Sequence, residues 1–316
     1  MTGPAPLRIG TRGSALALWQ AEHVAAGIRA QSGAPPVELV RVETEGDRIQ
    51  DVALSRLPGK AFFTKELEQA ILDGVVDLAV HSLKDVETAV PEGLEILAVL
   101  EREDPRDVLL AGPDVDLDTL PAGARVGTSS LRRQAFLRRW RDDLDVVDLR
   151  GNVPTRVRRL DDGAYDAIVL AAAGVERLGM IARVNDYFPE WILPPAVSQG
   201  AIGVQVRTGD DRVGRWVAPL EHAPTRSATD AERALLREVE GGCQVPLGAH
   251  ATLRDGRLEL AAVICSPDGG RAVDGRREGD AGNAVSIGRG LARDLLARGA
   301  GEIMDGIRAA RPPDGP

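Results

Sequence analysis

The chain is predicted to be an α/β protein with a smaller α+β domain at its C-terminal end. Three observations carry that prediction. Short apolar strands alternate with helical segments in the first half, a second unit with the same alternation follows Pro105, and from about Glu221 the chain changes its grammar. At 316 residues there is room for two or three domains.

Leu7 to Gly10 reads as the first strand, and Ser14 stands where an N-cap belongs, opening a helix over Ala15 to Ala30. Val37 to Val42 is the second strand. Thr64 to Asp73 has helical spacing and stops at Gly74, a common C-terminal residue, before an apolar strand at Val75 to Val80. This order predicts a mainly parallel sheet. Between Glu43 and Phe62 no periodicity is clear and Gly, Asp, Arg and Lys are frequent, so a mobile flap is expected there.

In the second unit Val108 to Leu110, Arg125 to Gly127, Val146 to Leu149 and Asp166 to Leu170 read as strands. Helices are expected after Ser129 and after Pro154, the latter two residues past Asn152 in a position suited to a first helical turn. Pro194 and Pro195 mark a boundary, and Ala196 to Arg207 resumes a strand-like pattern. The tail then predicts a helix over Ala228 to Val239, a turn at Gly241 to Pro246, strands around Ala249 to Leu253 and Leu258 to Ile264, and terminal helices.

Composition narrows the function classes. The formal net charge of -9 argues against a general nucleic-acid binder, and no apolar run reaches the length of a membrane span. No secretory pattern opens the chain, which makes a cytoplasmic location the expectation. Two cysteines, Cys243 and Cys265, make no disulfide framework and no CxxC pair, so no metal site is expected. Only three lysines occur, Lys60, Lys65 and Lys84, all within one short stretch.

Against that acidic background, ten arginines and only four acidic residues fall between Arg125 and Arg159, a local charge of about +6. Arg138, Arg139, Arg141, Arg158 and Arg159 fit a solvated helix face. Arg132 and Arg133 follow the turn GTSSL, and Arg150 and Arg156 flank Gly151 and Asn152. Guanidinium groups at such turns, beside two helix N-termini, make a clamp for a carboxylate or phosphate. Arg12 and Ser14, in IGTRGS, form a similar strand-to-helix turn in the first unit. Two such half-sites suggest a ligand held by both.

The strand ending in Val80 runs into His81, Ser82, Leu83, Lys84 and Asp85, at the end of a sheet where ligands gather. Lys84 and Asp85 are either a surface pair or a site for a reaction that develops positive charge. His81 reads as a core or supporting residue. Cys243, in EGGCQVP, is either a small buried thiol or one displayed for nucleophilic chemistry, and the residues alone leave both open. Cys265, in AAVIC, reads as core.

Seven motifs in order, TRGSALALWQ, GKAFFTKELE, AVHSLKD, EREDPRD, GTSSLRRQ, LRGNVPTR and EGGCQVPLG, spanning Thr11 to Gly248, resemble the porphobilinogen deaminase (hydroxymethylbilane synthase) family. The resemblance implies two lobes like type II periplasmic binding proteins plus the small C-terminal domain. Its expected boundaries are 1–101 with 197–219, 102–196, and 220–316. It implies a transferase that joins four porphobilinogen molecules head to tail with release of ammonia. It also implies a dipyrromethane cofactor attached through a thioether to Cys243.

Carried over by position, Lys84, Asp85, Ser129, Arg132, Arg133 and Arg156 would hold the cofactor. Arg12, Ser14, Arg150, Arg177 and Gln199 would serve the substrate, and Asp85 would be catalytic. The resemblance further implies a monomer that could pass its product to uroporphyrinogen-III synthase. The chain departs from the usual pattern at Arg56, at Ala61 in GKAFF, at Ser198 in AVSQG, and in DVETAVP after Asp85. A non-catalytic anion-binding protein of the same fold is the main rival. It leaves Cys243 and Asp85 without work.

Overall fold

The structure, a computed structural model, describes residues 5–48, 62–239 and 245–309. The expected flap at 43–62 falls mostly outside these residues, as do Arg56, Ala61 and Cys243.

β1 (Leu7–Thr11) leads into α1 (Ala15–Arg29), and β2 (Val37–Arg41) precedes one helical turn, α2 (Glu45–Arg48). Next come α3 (Lys65–Leu72) and β3 (Leu78–Ser82), which ends in a 3₁₀ turn at Leu83–Asp85. β4 (Leu94–Val99), β5 (Asp107–Ala111) and β6 (Arg125–Gly127) precede α4 (Leu131–Trp140). β7 (Asp145–Val147), α5 (Val153–Asp161), β8 (Ala167–Ala171) and α6 (Ala172–Arg177) follow. The chain continues through β9 (Asp186–Tyr187), β10 (Ile202–Arg207), α7 (Asp211–Val217) and α8 (Ala223–Glu238). β11 (Leu247–Arg254), β12 (Arg257–Cys265), β13 (Ala272–Asp280), α9 (Ala284–Leu295) and α10 (Gly301–Ala309) complete it.

The described residues form two compact units, one of 5–48, 62–103 and 200–226, the other of 104–199, 227–239 and 245–309. In the first, five strands run in the order β2-β1-β3-β10-β4. β1 is parallel to β2 and β3, but β10 is antiparallel to both β3 and β4. Four strands thus share one direction, as expected for a mainly parallel sheet, and the sheet is mixed because β10, a strand from far along the chain, is inserted against them. That insertion sets Gly203 opposite His81 and Gln205 opposite Ala79. Apolar side chains of β1, β3, β10 and α1, among them Ile9, Leu78, Val204, Val24 and Ile28, are sealed into one core.

β3 begins at Leu78 rather than at the expected Val75. The amides of Val75 and Val76 still donate to the Ala70 carbonyl at the end of α3. Asp77 is taken up by Arg8, whose backbone N–H and guanidinium donate to its carboxylate at 2.8 and 3.2 Å. The contacts of these three residues finish the helix before the strand can start.

In the second unit the order is β7-β6-β8-β5-β9, again mixed: β6 is parallel to β7 and β8, while β5 is antiparallel to β8 and β9. A separate antiparallel sheet, β11-β12-β13, packs its apolar face on α8 and α9 around Leu235, Leu258, Leu260 and Leu291. Cys265 is fully buried, as its apolar strand predicts. β13, AVDGRREGD, shows almost no apolar alternation and carries no strand signal of its own. It is a strand because β12 pairs with it along its whole length. The segment expected to resume a strand at Ala196 turns first, with Ser198 at φ 61° and Gly200 at φ 91°, and becomes a strand only at Ile202. α8 starts at Ala223, five residues before the expected Ala228. No helix among the described residues is long and apolar enough to cross a membrane.

Candidate active site

β1 and β3 are adjacent and parallel, so the turns after their carboxyl ends meet at one edge of the first unit's sheet. Arg12 and Ser14 leave β1, and Asp85 closes the 3₁₀ turn after β3. With Phe63, Thr64, His81 and Ser82 they line a small open pocket, with a cavity volume of about 70 Å³. Ser14 caps α1, accepting from the Ala17 N–H at 3.3 Å, as its place in the sequence predicts. Gln20, further along α1, donates to the Ser82 hydroxyl at 2.9 Å and pins the wall.

The half-buried carboxylate of Asp85 makes no hydrogen bond or ion pair among the described residues. Arg12, in contrast, is engaged. It donates through Nε and a terminal nitrogen to Asp47 at 3.2 and 2.5 Å and lies 4.2 Å from the centre of the Phe63 ring. Burial works to raise the pKa of Asp47, but hydrogen bonds from Arg12 and Thr44 and the Arg12 charge outweigh it and hold it below the usual range. Lys84, half-buried, precedes Asp85 in the same turn.

Behind this wall runs a buried polar chain. His81 Nε2 lies 3.0 Å from Gln205 Oε1, and Gln205 Nε2 donates to Glu68 Oε1 at 3.2 Å. All three residues are less than one-tenth exposed. Burial lowers the His81 pKa to about 4, despite its bond to Gln205, so the imidazole is neutral at physiological pH. Burial also pushes the Glu68 carboxyl up, against its bond from Gln205.

In the second unit, β6 and β7 are parallel neighbours, with Gly127 opposite Val147, and each is followed by a helix. Ser130 caps α4, taking the Arg133 N–H, and Asn152 caps α5, taking the Thr155 N–H at 3.0 Å. The two helix N-termini thus stand at one sheet edge, where backbone donors favour an anion. Ser129 ties this edge together, donating to the Leu149 carbonyl at 2.8 Å and accepting from its N–H at 3.1 Å. Arg156 Nε donates to the Gly151 carbonyl at 2.7 Å. Arg150 is half-buried, and burial pulls its pKa down.

Arg132 and Arg133 turn inward and share Asp107. Arg132 donates to Oδ2 at 2.6 Å, and Arg133 donates twice to Oδ1, at 3.1 and 2.7 Å. Gln199 Nε2 adds a bond to Oδ1 at 2.9 Å. Burial alone would raise the pKa of Asp107. The charges of the two guanidiniums and their hydrogen bonds overcome that and hold it at about 2. One carboxylate against two guanidiniums leaves this buried cluster at net +1, and Nε of Arg132 is buried without a partner among the described residues. Arg177, at the end of α6, is also buried.

The sequence places Arg12, Ser14 and Asp85 at one site, and the structure brings them to one pocket. Sequence reasoning missed Asp107, Asp47, Thr64 and the pair Gln205 and Glu68. Asp107 lies within the motif EREDPRD and could have been found there. The others have no local sequence signal, because only tertiary packing brings them to the site.

A pocket carrying an unengaged carboxylate, and an arginine cluster of excess positive charge, define an α/β enzyme that handles anionic substrates. The chain matches the family described as "Porphobilinogen deaminase, dipyromethane cofactor binding domain" over residues 7–215, and "Porphobilinogen deaminase, C-terminal domain" over residues 227–297. It is 50% identical over 303 residues to the porphobilinogen deaminase of Moorella thermoacetica, covering 96% of this chain and 97% of that one. With that of Desulforudis audaxviator it shares 51% identity over 303 residues, 95% and 97% of the two chains. A solved structure of the Bordetella pertussis BvgS periplasmic VFT2 domain aligns at a TM-score of 0.41 and 16% identity, over 68% of this chain and 86% of that domain.

The chain belongs to the porphobilinogen deaminase family. It is an enzyme of tetrapyrrole biosynthesis that polymerises porphobilinogen into hydroxymethylbilane.

Proposed function

We propose that Asp85 is the catalytic group of this polymerisation. The observation that carries the proposal is its half-buried carboxylate, which lines the pocket and is engaged by no hydrogen bond or ion pair among the described residues. Such a group is free to accept from pyrrole N–H and to stabilise the cation that forms on the substrate as ammonia leaves. Arg12 and Ser14 in the same pocket, with Arg150, Arg177 and Gln199, are assigned to the substrate. Each pyrrole ring carries an acetate and a propionate, for which guanidinium groups are the matching partners.

Lys84, Asp85, Ser129, Arg132, Arg133 and Arg156 are assigned to the dipyrromethane, with Cys243 as its thioether anchor. The net +1 of the Asp107 cluster and the unpartnered Nε of Arg132 fit a carboxylate-bearing group of this kind. When bound, that group supplies the pyrrole carbon on which chain growth begins. Family membership also implies a cytoplasmic monomer that releases its open-chain product to uroporphyrinogen-III synthase.

The test is Asp85→Asn, which keeps shape and removes charge. The variant is expected to form holoenzyme and to turn over slower by about 10² or more. Near-normal turnover removes Asp85 from the mechanism.

A further inference from the structure

Thr64 occupies the N-cap position of α3, yet its hydroxyl makes no capping bond. The residue is 1% exposed and lines the Asp85 pocket, and its Oγ1 has no hydrogen-bond partner among the described residues. A buried hydroxyl left unsatisfied is costly unless something in the pocket completes it. Nearby, the hydrogen-bonded chain from Glu68 through Gln205 fixes the tautomer of His81. Glu68 Oε1 takes the amide N–H of Gln205, so Gln205 offers its oxygen to His81, and His81 Nε2 carries the proton. Nδ1 is then a bare acceptor on a residue of the pocket wall.

Charge decides what such a pocket takes. Arg12 is held by Asp47, whereas Asp85 makes no ion pair among the described residues, so its carboxylate is the charged group of the lining left to meet a cation. Thr64 Oγ1, His81 Nδ1 and the Asp85 carboxylate are three acceptors on one small pocket. An alkylammonium has three N–H donors.

We propose that Thr64 and His81 are positioning residues that, with Asp85, hold the aminomethyl ammonium of the incoming porphobilinogen. The inference rests on the assignment of Asp85 above. Holding the group as –NH3⁺ by acceptors prepares it to leave: the C–N bond breaks, its electron pair departs with neutral ammonia, and the pyrrole nitrogen lone pair fills the electron demand at carbon. No proton transfer is needed in that step. A neutral imidazole is essential to it, since an imidazolium would repel the ammonium. The low pKa that burial imposes on His81 agrees with this role.

The experiment uses holoenzyme and two ligands: porphobilinogen, and its analogue with methyl in place of aminomethyl as a competitive inhibitor. Because the Thr64 hydroxyl makes no hydrogen bond among the described residues, Thr64→Val is expected to fold with unchanged stability. It is expected to raise the KM for porphobilinogen about tenfold while leaving the inhibition constant of the methyl analogue unchanged. Asn places its amide oxygen near the site of Nδ1, whereas Gln places its amide near Nε2. His81→Asn is therefore expected to retain more porphobilinogen affinity than His81→Gln. An unchanged KM in Thr64→Val, or parallel losses for both ligands, overturns the proposal. The contrast is between ligands on one protein, so it is independent of the turnover rate of Asp85→Asn.

Discussion

His81 Nε2 stands 3.0 Å from Gln205 Oε1, and the ring is buried. The folded-state pKa of His81 is about 4, below its ordinary 6.5. Above pH 6.5 both folded and unfolded states are neutral at this residue, and stability is full. As the pH falls from 6.5 toward 4, the unfolded chain binds a proton that the folded protein refuses, and stability drops by on the order of 3 kcal/mol. His81→Gln, which keeps a polar group near Gln205 but cannot titrate, is expected to lose less over that window. Urea unfolding midpoints of both proteins at several pH values check this, and equal losses would rule out His81 as the source.

Asp107 presents the opposite charge problem. It is the only carboxylate on two buried guanidiniums among the described residues, and Asp107→Ala leaves both without an anion. Removing one partner of a buried pair costs about 3–5 kcal/mol, and that loss is expected in urea unfolding. Since its folded pKa is depressed, the stability from Asp107 is present above about pH 4 and is lost as the pH falls through about 2. The acid limb of the wild-type stability curve is therefore expected to be steeper than that of Asp107→Asn.

Ser198 takes the place of a glycine in the family's usual AVGQG run, and it stands at φ 61° with a buried hydroxyl that has no partner among the described residues. Its N–H is fixed by Glu232 at 2.7 Å, so the backbone has no freedom to relax. The left-handed conformation costs a non-glycine residue about 1–2 kcal/mol, part of which glycine gives back as unfolded-state entropy. Ser198→Gly is expected to stabilise the protein by about 1 kcal/mol. A lower midpoint in thermal unfolding would contradict the strain argument.

The thioether at Cys243 has a direct readout. Intact-mass measurement of active enzyme is expected to show an adduct of dipyrromethane size, on the peptide containing Cys243, and Cys243→Ser is expected to lack it. An unmodified mass from an active preparation would defeat the covalent assignment.

Much of the site is legible in the amino-acid order. Ser14 and Asp85 lie beside strand ends that apolar runs mark clearly, and the turn at Arg132 and Arg133 announces a helix start. What the local pattern does not carry is the direction those arginines face. Their spacing reads as a clamp open to solvent, whereas packing turns both onto Asp107, because a carboxylate sealed under the sheet edge must be paired. Strand direction escapes the local pattern in the same way. Parallel alternation is a local signal, but β10 and β5 join their sheets from a distance and run the other way.

The amino-acid order by itself determined the α/β alternation, the cap at Ser14, the core position of Cys265 and the family, because each depends on neighbours within a few residues or on motifs kept in sequence. Tertiary structure alone decided that Gln205 and Glu68 orient His81, that Thr64 keeps an unspent hydroxyl, and that Asp47 neutralises Arg12. These contacts join residues far apart in the chain, and they exist only where sheet register and helix packing set side chains within hydrogen-bond reach.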